Sequence, residues 1–263
     1  MMSGILEEMT IEEVRAMKPD TAVVPIGSTE PHGPHLPYGS DTFLTKAVSE
    51  EAVRIAVRRG AGVVCLPTIP IGNNVNFRRF PFALRMGVRT LMQVVEDIVR
   101  QLQEDGVRKV VVVNDHGRNT DALRAALREI AANDGAPFVC LICPCDFGGD
   151  IASRLIQHPS DHAGEWETCM NLALRPDLVK SDRLGNYPFG KLDMPELRKT
   201  FFVRPWHLYV PESAGGESRT ASAEKGRKIL DAAVEGLAEF LVKLAAAPWT
   251  ETFPYSSAGA GKP

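Results

Sequence analysis

The chain has no run of about 18 apolar residues, so no segment reads as membrane-spanning. It has no basic excess either. Thirty Lys and Arg stand against 33 Asp and Glu, a formal net charge of −3, whereas nucleic-acid binders carry a basic face or stripe. Neither a membrane nor a nucleic acid is expected as a partner. Cysteine is scarce and odd in number, five in 263 residues. Cys65 lies inside an apolar run, and Cys140, Cys143 and Cys145 contain one C-x-x-C where a zinc ribbon needs two. Reduced, mostly buried thiols are the expectation. Residues 1–20 are acidic and lack the basic-then-apolar order of a signal peptide, so the expected location is the cytoplasm. With no repeat and no linker, one domain over residues 1–250 is expected, followed by a flexible tail over 251–263.

The composition that remains is that of an ordinary globular protein, 44% hydrophobic and 24% charged. A chain of this length buries roughly 70–75% of its unfolded surface and needs no disulfide staple. Short runs rich in Val, Ile and Cys at 22–26, 62–66, 109–113 and 137–142 read as buried strands of a parallel sheet. Between them, 42–58, 89–105 and 119–132 show helical spacing, closed by Gly60, Gly106 and Gly135. Thr10 with Glu13 reads as a capping box opening a short helix. Later, 163–174 and 224–246 read as helices, and 182–218 is a long Pro- and Gly-bearing stretch suited to a lid or an oligomer contact. The fold class is therefore α/β: a three-layer α/β/α arrangement on a mostly parallel central sheet.

Parallel α/β sheets bind ligands beyond the carboxyl ends of their strands, and polar clusters stand at those places. Gly27-Ser28-Thr29-Glu30-Pro31-His32-Gly33-Pro34-His35 follows the first strand, with Asp41 at the next helix start. Asn114-Asp115-His116-Gly117-Arg118-Asn119 follows the third strand, and Cys143-Pro144-Cys145-Asp146 the fourth. Glu30 and His32, two apart in an extended loop, point the same way. Mixed carboxylate and imidazole donors suit Zn, Mn or Fe(II) rather than Ca or Mg. Taken alone, Asp41 reads as a helix cap more readily than as a ligand.

The run Gly27 to Pro37 followed by Asp41 resembles the first motif of the creatininase family. Asn114 to Asn119 resembles its Asn-Gly-His-x-x-Asn motif, His162-Ala163-Gly164-Glu165-Trp166-Glu167-Thr168 its third, and Thr220 to Gly226 the entry to its last helix. The resemblance implies a creatininase-like α/β fold, a homohexamer and two divalent metals sharing a water, zinc first with manganese or iron as alternatives. It places Glu30, His32, Asp41 and His116 on ligand positions. A further family glutamate falls on Arg118, which cannot ligate, so Glu165 is expected to supply the missing ligand. Helical spacing then sets His162 and Glu165 on one face, leaving His162 for proton transfer and Glu167 as an orienting catalytic group, with Glu167 as the alternative to Glu165 for the missing ligand.

Substrate features diverge. The family's Phe-Pro-Gly-Thr reads Phe80-Pro81-Phe82-Ala83 here, and the positions of its paired tryptophans hold Cys145 and His158. Arg78, Arg79 and Arg118 are the expected substrate-binding residues, since a guanidinium is a planar fork of donors. The expected reaction is hydrolysis of a cyclic amide or related C–N bond in a small polar cyclic molecule. Ring opening of a polar cyclic ketone or lactone, or peptide processing, are the alternatives.

Overall fold

The computed structural model describes residues 2–158, 162–250 and 252–255. Four parallel strands form the central sheet: β1 (Thr21–Ile26), β2 (Val63–Cys65), β3 (Lys109–Asn114) and β4 (Phe138–Ile142). Their order is β2-β1-β3-β4. The helices are α1 (Ile11–Met17), α2 (Ser40–Arg58), α3 (Val88–Glu104), α4 (Thr120–Ala131), α5 (Pro144–Leu155), α6 (Glu165–Leu174), α7 (Trp206–Tyr209) and α8 (Ala223–Ala246). The capping box predicted at Thr10 and Glu13 opens α1. Helix α5 was not among the helices expected from the sequence; its start is marked by Pro144 just inside the first turn, a position where the missing N–H costs nothing.

Alternation of side chains along the strands divides the core in two. Val23, Val111 and Val113 join one apolar cluster with α2, α5, α6 and α8. Ala22, Val24, Ile26, Val110 and Val112 face the other way, against α3 and α4. The sheet is therefore covered on both faces, as its near-continuous Val and Ile runs require. β1 and β3 are in register from Thr21↔Lys109 to Ile26↔Asn114, so the loops beginning at Gly27 and Asp115 leave the sheet side by side. At the opposite edge, the wholly buried Lys109 donates from Nζ to Asp20 at 2.9 Å and to the Ala247 carbonyl at 2.7 Å. A cation there satisfies carbonyls at the end of α8.

The 182–218 stretch is not unstructured: it carries β5 (Asn186–Tyr187) paired antiparallel with β6 (Gly216–Glu217), and α7. In the tail, Phe253 packs edge-on against Phe138 with centroids 5.0 Å apart. Residue 251 and residues 256–263 lie outside the described residues. The thiol expectation is corrected. Cys143 and Cys145 are joined as a disulfide, leaving Cys65, Cys140 and Cys169 free.

Helices α6 and α8 cross closely at Gly226, where an added Cβ would stand 2.0 Å from the Cys169 carbonyl oxygen. Alanine gains about 1 kcal/mol of helix propensity over glycine, but forced overpacking costs about 1–3 kcal/mol. Gly226→Ala should therefore lower the urea midpoint with m unchanged. A raised midpoint would mean that the crossing is looser than described.

Candidate metal centre

The loop after β1 is held against α2. An added Cβ at Gly27 would meet the Thr42 Cα at 2.6 Å, and the Thr42 hydroxyl donates to the Ser28 carbonyl at 2.8 Å. This approach brings Asp41, in the first turn of α2, toward Glu30 and His32. Asn119 binds three segments together. Its Oδ1 accepts from the Asn73 N–H at 2.7 Å, and its Nδ2 donates to Asn114 Oδ1 at 2.9 Å and the Gly27 carbonyl at 3.2 Å. Asn74 donates to Ser28 Oγ at 2.7 Å, and Ser28 donates to Glu30 Oε2 at 2.9 Å.

Each of three imidazoles is fixed by a backbone carbonyl, which can only accept. His32 Nδ1 lies 3.0 Å from the Glu30 carbonyl, His116 Nε2 3.2 Å from that of Asn73, and His162 Nε2 2.9 Å from that of Pro31. In the neutral rings those nitrogens carry the hydrogens, so His32 Nε2, His116 Nδ1 and His162 Nδ1 present lone pairs. This outer bond is the usual support of a metal-ligating histidine. The lone pairs converge on carboxylates. His32 Nε2 is 2.9 Å from Asp41 Oδ1 and 3.9 Å from Glu167 Oε2; His116 Nδ1 is 3.0 Å from Asp41 Oδ2; His162 Nδ1 is 3.9 Å from Glu30 Oε1. Yet His32 Nε2 and Asp41 Oδ2 have no hydrogen-bond partner. Buried donors of electron pairs, close together and unsatisfied, fit a cation. Three overlapping groups meet that geometry: Glu30, His32 and His162; Glu30, Asp41 and His116; and His32, Asp41 and Glu167.

The electrostatics follow from burial of like charges. Burial raises Glu30 to about 7, with Asp41 adding to the rise against the pull of the histidines. Burial also raises Glu167, again reinforced by Asp41 and opposed by His32. For Asp41 burial pushes upward, but His32 and His116 overcome it and hold the carboxyl down. Burial would depress His32, and the charges of Asp41, Glu167 and Glu30 lift it well above its ordinary value. His162 is driven well below its ordinary value by burial and by His32.

Glu165 is the main departure from the sequence reading. Burial favours its neutral form, but Lys225 Nζ donates to it at 2.6 Å and the His158 and Gln157 N–H groups at 2.7 and 2.8 Å, so its pKa is lowered. With those partners Glu165 faces Lys225 rather than the cluster. Glu167, accepting from the Ala163 N–H, is the third-motif acid that reaches His32. The helical-face argument failed because His162 is not in the helix. α6 begins at Glu165, and Ala163 before it has φ +50°, so i,i+3 geometry does not relate His162 to Glu165.

A cavity of ≈ 80 Å³ opens on the cluster. Arg118 stands over the Trp206 ring, its Cζ 5.2 Å from the centroid, and both line this cavity. Arg78 and Arg79 do not; they are exposed and line a separate groove. Two lining residues escaped the sequence reading. Trp206, packed on Phe77 at 4.6 Å and edge-on to His162 at 4.6 Å, had no signal, since 44 positions separate it from His162. Asp115 had one, an acid where the resembling motif has Gly. Burial, with the charges of Asp41 and Glu167, pushes its pKa well above the ordinary carboxylate value.

Comparison with known proteins agrees with this geometry. A sequence model of the creatininase family, creatinine amidohydrolase, matches residues 7–241. Creatinine amidohydrolase of Pseudomonas putida is 31% identical over 82% of this chain and 86% of its own. The mycofactocin precursor peptide peptidase of Mycolicibacterium smegmatis is 30% identical over 88% and 87%. The 3-dehydro-scyllo-inosose hydrolase of Thermotoga maritima is 26% identical over 90% and 81%. A solved structure from Bacteroides fragilis superposes with TM-score 0.83 at 27% identity, covering 95% of this chain and all (100%) of that one. Creatininase in a manganese form superposes with TM-score 0.76, and a creatininase variant of Zn–Zn type with 0.75, each at 27% identity over 94% of this chain and 100% of its own. The fold and the cluster are those of an α/β hydrolase with metal-binding residues at the strand ends. The chain belongs to the creatininase family.

His35, beside this cluster, is fully buried. Its Nε2 lies 3.1 Å from Thr168 Oγ1, and its ring stacks on Tyr187 with centroids 5.6 Å apart. Burial lowers its pKa from 6.5 to about 4. The unfolded chain therefore binds the proton first, so this contribution is full above pH 6.5 and is lost as pH falls toward 4. The stability difference between wild type and His35→Gln should shrink over that interval in a urea series. A difference flat with pH would contradict a buried neutral imidazole.

Proposed function

We propose that this hydrolase binds two divalent ions through Glu30, His32, Asp41, His116 and Glu167, and cleaves a cyclic amide or related C–N bond in a small polar molecule. The observation carrying the reading is the set of three imidazoles with carbonyl-fixed hydrogens, whose lone pairs converge on buried carboxylates. When bound, such ions supply Lewis acidity and an activated water. Zinc is the first choice, with manganese or iron as alternatives, by the mixed nitrogen and oxygen donors. Asp41, with an oxygen toward each of His32 and His116, is the carboxylate that would be shared between the ions.

The chain's own residues do the rest. His162, neutral and presenting Nδ1 beside Glu30, is the proton carrier. Glu167 moves from the orienting role expected of it to that of a ligand, and Glu165 to a structural one. Asp115, in the cavity wall, offers its carboxyl group to the substrate as a hydrogen-bonding partner. Arg118, steadied on Trp206, offers its guanidinium at the cavity mouth. Two polar hydrogen-bonding side chains in the wall, Asp115 and Arg118, also suit a polyhydroxylated ring, and this supports ring opening of a cyclic ketone or lactone as the second reading. A homohexamer is proposed as the assembly and the cytoplasm as the location, both on the family resemblance and the sequence reading; the exposed Phe82 is a candidate contact between subunits.

Treatment with a chelator should abolish turnover of a panel of cyclic amides, formamides and lactones, and zinc, manganese or iron(II) should restore it. Wild type should carry about two ions per chain, and Glu167→Gln about one. Glu165→Gln should keep the ion count and lose thermal stability instead. An unchanged count in Glu167→Gln with a reduced count in Glu165→Gln would restore Glu165 as the ligand. Turnover surviving full ion removal would refute the reading.

A further inference from the structure

Phe77 and Trp206 stack on each other beside His162, and their chain neighbours line a different space on the outer side. This groove, of ≈ 430 Å³, is lined by Asn76, Arg78, Arg79, Arg204 and His207, with apolar side chains and no carboxylate. It shares no lining residue with the cavity over the cluster. Arg204 is braced on Tyr209, its Cζ 4.5 Å from the ring centroid. Among the described residues none of the three guanidiniums forms an ion pair.

Asn76 supplies the second observation. It is 5% exposed, and neither its Oδ1 nor its Nδ2 has a hydrogen-bond partner. His207 Nδ1 is likewise buried without one. Buried polar groups are nearly always satisfied, and an unsatisfied one bears its desolvation cost with no return. The Asn76 Nδ2 and the His207 ring face a groove with three guanidiniums that form no ion pair, a set of donors suited to an acceptor-rich ligand. Guanidiniums match oxyanions in a bidentate fork.

We propose that this groove is an oxyanion-binding site, taking a phosphate- or carboxylate-class group between Arg78, Arg79 and Arg204, with the Asn76 amide and the His207 ring on its buried side. The site stands apart from the metal cluster and does not depend on the reaction proposed above. Its ligand is either a free anion or the charged end of a substrate whose reacting part reaches past Phe77 and Trp206.

The test is calorimetric titration of inorganic phosphate into the purified protein, with ionic strength held constant by chloride. Wild type should bind saturably, about one phosphate per chain, and Glu30→Gln should bind equally well. The exposed Arg79→Gln and the half-buried Arg204→Gln should each weaken binding about tenfold or more, as lost charge-assisted hydrogen bonds do. Absence of saturable heat in wild type would overturn the proposal. So would binding lost in Glu30→Gln but retained in the arginine variants, which would put phosphate at the metal cluster. Where phosphate binds as expected, kinetics assign the source. A raised KM with kcat unchanged marks the anion as part of the substrate, and an unchanged KM marks a separate ligand.

Discussion

Glu30, Asp41 and Glu167 are packed together within reach of His32, His116 and His162, and Asp115 lies in the same wall. Removing one carboxylate from water costs several kcal/mol unless it is paired, and here like charges are also set against each other. The pKa shifts show the strain: Glu30, Glu167 and Asp115 are pushed up while Asp41 is held down. Without cations, some of these acids must be protonated. Divalent cations bound there would remove the conflict, since their charge would offset the carboxylates and their empty orbitals would take the histidine lone pairs.

The rest of the architecture keeps that cluster from relaxing. Parallel register sets the ends of β1 and β3 level. Asn119 fastens both ends and the 73–74 loop with three hydrogen bonds. Backbone carbonyls then fix the imidazole hydrogens, so three nitrogens cannot turn their lone pairs away. A site preorganised this way is supported by its second layer of contacts as much as by the ligands themselves.

Much of this was legible in the sequence, and for physical reasons. Valine-rich runs that alternate with helical spacing can bury both faces only in a parallel sheet, and Glu30, His32, Asp41 and His116 stand where such sheets gather their ligands. What misled was local geometry assumed where none applied. Helical spacing was used to link His162 with Glu165, yet the positive φ of Ala163 breaks the chain direction before α6 starts. Lys225 comes from α8, 60 positions away, so its claim on Glu165 was not visible in a linear reading. Trp206 was hidden likewise, because an irregular segment carries no period from which to infer a side chain's direction. Arg78 and Arg79 were placed with the substrate by the chemistry of their side chains, which does not say which way a loop turns; they line a groove separate from the cavity over the cluster.

The account turns most directly on where the ions sit. Crystals grown with zinc, with diffraction recorded on both sides of the zinc absorption edge, would give anomalous peaks that locate them. The account predicts two peaks per chain, about 3.5–4 Å apart, with Asp41 between them and Glu167, not Glu165, in contact with one. A peak bound to Glu165 with Lys225 displaced, or no peak at Asp41, would contradict it.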